Sequence, residues 1–80
     1  MSIRELDTVV LERDLPEHGL RRGDLGAVVH VYGEDAIEVE FVRLAGQTQA
    51  LVQLTLSDVR AVLDADLPAV RTADVRRGAA

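Results

Sequence analysis

The chain has no cysteine, no lysine and no tryptophan, and its only aromatics are Tyr32 and Phe41. Without cysteine, neither a disulfide framework nor a thiolate metal site can staple the fold, and the usage fits a cytoplasmic protein. Two aromatics cannot furnish a base-stacking platform for single-stranded nucleic acid, nor the aromatic-lined groove that reads proline-rich peptides. Lacking lysine, the glycines Gly19, Gly23 and Gly26 do not make a P-loop, and a β-run rather than a helix follows them. No apolar run approaches membrane-spanning length. The start, "MSIRELDTVVLERD", has a charge every few residues where a signal peptide would place its apolar stretch. Serine occurs only at Ser2 and Ser57, so no oriented nucleophile and base are evident, and we expect no catalytic residue.

What remains is one small domain of 80 residues with a net charge of −5. The imbalance is local. Residues 1–63 hold eleven acids against six arginines, whereas 64–80 are neutral. An anionic surface repels phosphate backbones and anionic lipid and steers basic partners toward itself.

Period-two patterning dominates the chain. "IEVEFV" sets Ile37, Val39 and Phe41 on one face and Glu38 and Glu40 on the other, as a half-buried antiparallel strand requires. Further strands are expected over Asp7 to Arg13, Leu25 to Tyr32 and Thr48 to Thr55. A brief helical turn is expected at Ser57 to Val59, then a last strand from Arg60 to Leu63. Pro16, Gly19 and Gly23 mark a long loop after the first strand, and Leu20 within it is expected to fold back onto the core. Gly26 marks a bulge or a close backbone crossing. "GEDA" and "RLAGQ" make hairpin turns. Strand, long loop, two hairpins, helical turn and strand is the layout of an all-β, SH3-like (KOW- or Tudor-type) five-stranded barrel over residues 1–63. Residues 64–80 are expected to form a flexible C-terminal tail, with a short helix at Ala69 to Arg76 as an alternative.

Several stretches together resemble one family. They are "D-x-V-V-L" from Asp7, "D-L-P-E-x-G-L" from Asp14, "G-D-L-G-x-V-V" from Gly23, "E-V-E-F" from Glu38 and "L-S-D-V-R" from Leu56. The span from Leu6 to about Val62 is similar to a bacterial family catalogued as domain of unknown function 4926. That resemblance implies a small SH3-like barrel from a bacterium and no established activity. Family members look similar to partner modules encoded beside other proteins, toxins among them.

Candidate partner-binding residues are Glu34 and Asp35 in the hairpin turn, Glu38 and Glu40 on the strand face, and Arg21 and Arg22 on the long loop. The acids read either as a solvated exterior or as a patch that docks a basic protein. The arginines read as a charge-balanced loop or as a lip that grips a carboxylate. A metal site requires convergent ligands in a fixed cage, which an exposed strand face rarely supplies; neither metal nor cofactor is expected. His18 and His30 are read as structural. Val42, Leu44 and Leu51 are expected to face outward and to offer a surface for homo-oligomerisation. The functional expectation is a cytoplasmic, non-catalytic interaction module, in its sharpest form an antitoxin-like or immunity-like acidic partner of a neighbouring basic protein. The alternatives are a nucleic-acid-binding barrel, which the charge opposes, and an accessory subunit of a larger enzyme.

Overall fold

The computed structural model describes residues 3–73. Five strands form one antiparallel sheet, β1 (Thr8–Leu11), β2 (Leu25–Tyr32), β3 (Ala36–Val42), β4 (Thr48–Thr55) and β5 (Val59–Ala61), of which the first four meander and the last returns to pair with β1. Their order in the sheet is β4-β3-β2-β1-β5, the arrangement of an SH3-like barrel. A 3-10 turn, Pro16–His18, lies in the long loop, and a second, Leu56–Asp58, carries β4 over to β5. That second turn comes one residue earlier than expected, and β5 covers Val59–Ala61 rather than Arg60 to Leu63. Asp58 explains the difference: its carboxylate accepts the Thr55 amide at 2.9 Å and Arg13 Nε at 2.8 Å, which closes the turn before Val59. Val59 is therefore free to enter the core as the first residue of the strand.

Alternation builds the interior. Val9 and Leu11 from β1, Val28 from β2, Ile37, Val39 and Phe41 from β3, and Val52 and Leu54 from β4 converge in one apolar cluster. Two residues of the long loop join it. Leu15 and Leu20 bond to each other through both backbone amides, at 3.0 and 3.1 Å, and both side chains are buried. Gly19 makes that return possible with φ at 68°, in the left-handed region that glycine enters without a Cβ clash. Gly26 serves differently, at an ordinary φ: a Cβ there would stand 2.5 Å from Val39 Cγ1 and 2.9 Å from Phe41 Cε1. Neither the bulge nor the backbone crossing expected from the sequence is found there: the register at Gly26 is regular, and its missing side chain makes room for the side chains of Val39 and Phe41.

Two irregularities re-aim side chains. The β2–β3 register shifts between Val28 and His30, so Val29 is an extra residue, and His30 opposes Glu38 on the outer face. The β3–β4 register shifts likewise, leaving Gln49 extra. Its side chain accepts from Arg43 Nε at 2.8 Å and donates to the His18 carbonyl at 3.1 Å, tying the β3–β4 turn to the long loop.

Val10 points away from the core between Leu25 and Arg60, yet it is only 5% exposed. The cover is the chain beyond β5. Arg60 donates to both oxygens of Asp66 at 2.9 Å. Arg71 bonds both oxygens of Asp24 and the Gly19 carbonyl. Burial alone raises the Asp24 carboxyl, but the hydrogen bonds and charges of Arg71 and Arg21 outweigh it and hold it below its usual value. Residues 66–73 thus form a strap along the outer face, beside an open groove of about 560 Å³ lined by Val10, Leu25, Val42, Leu67 and Val70. Residues 69–73 are not helical, and 74–76 of the alternative helix lie outside the described residues.

Candidate interaction surface

The four candidate acids occupy the tip and outer face of the β2–β3 hairpin. Strand alternation turns Glu38 and Glu40 outward because Ile37, Val39 and Phe41 fill the core. Glu38 lies between His30 of β2 and Gln53 of β4, and Glu40 between Ala27 and Leu51. Each has one neutral hydrogen-bond donor. Tyr32 Oη donates to Glu38 at 3.3 Å, and Thr48 Oγ1 donates to Glu40 at 2.6 Å. Desolvation, together with the charge and hydrogen bond of Glu38, raises the Tyr32 phenol above its ordinary value. Asp35 turns toward the second 3-10 turn, where its Oδ1 and its carbonyl both face the Leu56 amide at 3.4 and 3.2 Å.

Three of the described arginines are engaged elsewhere. Arg13 pairs with Asp58, Arg60 with Glu12 and Asp66, and Arg71 with Asp24. Among the described residues, none of Glu34, Asp35, Glu38 and Glu40 pairs with an arginine. Their negative charges therefore stand uncompensated on one hairpin, beside exposed Tyr32 and Leu51. His30 faces them, its ring 4.3 Å from that of Tyr32 and its Nδ1 3.5 Å from Glu5 Oε1.

Arg21 and Arg22 are not brought to this patch. They precede β2, whereas Glu34 and Asp35 follow it, so the eight residues of the strand separate them. At about 3.3 Å per residue that is more than 20 Å. Their backbone amides bond to Asp24 and Asp14, at 2.8 Å each, which shapes the loop. Val42, Leu44 and Leu51 do face outward, at 49%, 92% and 54% exposure. Val42 and Leu44 line the open groove beside the strap, and Leu51 stands apart from it beside Glu40.

Among the described residues no group of three or more His, Asp or Glu is placed to hold a metal ion. None of the helices described there is long and apolar enough to cross a membrane.

The strap and its Arg71–Asp24 tether escape sequence reasoning, which takes the segment for a tail. One signal was present: Val9, Val10 and Leu11 are apolar in succession, and a strand with one covered face alternates.

A family model described as "Domain of unknown function (DUF4926)" matches residues 5–61. The chain belongs to that family. The matched span of the DUF4926 domain takes in all five strands and ends at Ala61, the last residue of β5, so the strap lies outside it. No curated protein and no solved structure matches the chain.

Proposed function

We propose that this DUF4926 domain is a non-catalytic interaction module that receives the basic surface of another protein on the outer face of β2, β3 and β4. The observation that carries this reading is the division among the carboxylates. Among the described residues, Asp24, Asp58 and Asp66 are each held by an arginine, while Glu34, Asp35, Glu38 and Glu40 are left together without one. Uncompensated like charges on one hairpin repel each other, and a cationic partner relieves that repulsion on docking. Complementary potentials of this kind chiefly raise the association rate and make it depend on salt. Tyr32 and Leu51 supply apolar contact area at the edge of the acids. In its most specific form the module is a cytoplasmic, antitoxin-like or immunity-like cover for a basic protein encoded beside it. The same charge disfavours nucleic acid, whose phosphates would meet four carboxylates.

Affinity capture from the native host, with wild type beside the double variant Glu38→Lys/Glu40→Lys, tests the proposal. The expected result is a basic protein enriched by wild type and lost by the variant, with an association rate that falls as salt rises. Enrichment of no protein, or of one whose binding ignores both the variant and salt, refutes it.

A further inference from the structure

The two edges of the sheet are treated very differently. β5 is three residues long, and its Arg60 is bound to Asp66 of the strap, so it presents little free backbone. β4 is eight residues long, Thr-Gln-Ala-Leu-Val-Gln-Leu-Thr, with no charged residue and no proline. Among the described residues it pairs with β3 on one side only. Among the described residues no backbone hydrogen bond reaches 50–54 from any segment other than β3. Folded proteins protect such an edge with lysine, proline, bulges or shortness, because a row of open amides and carbonyls templates another strand. Within 50–54, β4 has none of these.

We propose that β4 pairs antiparallel with β4 of a second copy, so that two five-stranded sheets run on as one. The edge backbone of 50–54 is not part of the acidic face, although Leu51 borders both, and the pairing does not depend on the function proposed above. The edge itself names the occupant. Its outward side chains, Leu51 and Gln53, have no charge with which to select a basic segment, whereas a two-fold operation sets uncharged residues against uncharged ones. Opposed residues of antiparallel strands share a face, so the axis passes through a residue and not between two. Gln49 is an extra residue in the β3–β4 ladder, with its side chain committed to Arg43 and His18; the regular stretch 50–54 is therefore centred on Val52. In that register Leu51 of one copy lies across from Gln53 of the other, and Val52 meets Val52.

Charge permits this arrangement. Glu38 and Glu40 sit one strand in from the edge, so the acids of the two copies are three strand spacings apart, about 14 Å. That exceeds the Debye length of roughly 8 Å at physiological ionic strength. The remaining repulsion is small and salt only reduces it, so self-association does not weaken as salt rises, unlike the docking of a basic partner.

Sedimentation equilibrium of the purified full chain, from micromolar to millimolar, reads the result together with hydrogen exchange at the 50–54 amides. A dimer is expected, with exchange protection at 50–54 that grows with concentration. Leu51→Lys and Gln53→Lys, both at exposed outer-face positions, should each weaken the dimer by about tenfold or more while the thermal midpoint holds. Three outcomes overturn the proposal: wild type monomeric at millimolar concentration, a dimer that both lysine variants leave intact, or protection of 50–54 only when a host protein is added.

Discussion

Replacing Gly26 by alanine perturbs the interior at its tightest point. The new methyl carbon would lie 2.5 Å from Val39 Cγ1 and 2.9 Å from Phe41 Cε1, against a favourable carbon–carbon separation of about 3.5–4.0 Å. Neither neighbour can swing into solvent, because Val39 is 0% and Phe41 2% exposed. An added methylene in a packed core costs about 1–3 kcal/mol. Glycine's greater freedom in the unfolded chain offsets roughly 0.5–1 kcal/mol of that. The net loss is about 1–2 kcal/mol, or roughly 5–15 °C in Tm for a domain of this size. Urea and thermal denaturation with unchanged m-value measure it. The diagnostic partner is Val39→Ala. In the double variant the alanine at 26 enters the space vacated at 39, so the two losses should fall short of their sum by about 1 kcal/mol or more. A Gly26→Ala protein as stable as wild type, or strictly additive losses, would show that Val39 and Phe41 do not pack against Gly26 as closely as described.

Two further outcomes follow from local geometry. Leu6 has φ at 73° and a side chain 85% exposed, so Leu6→Gly relieves a left-handed conformation worth about 1–2 kcal/mol and sacrifices almost no packing. Allowing for glycine's unfolded-state entropy, Tm should rise by a few degrees with Leu6→Gly and stay level with Leu6→Ala; equal effects from both would refute the strain. The paired hydrogen bonds from Arg60 and the Leu63 amide hold the Asp66 carboxyl at about 2. A folded-state value below the unfolded one gives stability that is complete above pH 4 or so and is lost as pH falls toward 2. NMR titration of Asp66 should find that midpoint, and Arg60→Ala should return it to the ordinary carboxylate range; a low midpoint in the variant would contradict the assignment.

Much of the barrel was legible because it rests on local rules. Alternation in "IEVEFV" is enough to sort Glu38 and Glu40 from the core, and β2 and β4 occupy the spans that their β-rich runs delimit. Leu20 was placed correctly because an isolated apolar residue in a polar loop has only the core to bury itself in. The boundary before β5 rests on a local signal that Ser57 obscures: Thr55 and Asp58 form a capping box around Leu56–Asp58, and Arg13 adds its ion pair to Asp58. The candidate site was half legible. Its acids could be assigned to one face, but their lack of arginine partners could not, because that depends on where every other charge is engaged.

Pattern and composition settle an all-β, cysteine-free, anionic domain, since period, propensity and charge are properties of neighbouring residues. Tertiary structure alone brings Arg71 to Asp24, draws the chain beyond β5 along the face that holds Val10 and sets β4 at the end of the sheet. Those contacts join positions as far as 47 residues apart. No local preference encodes such a pairing; it exists only once the sheet has curled and brought the two segments within reach.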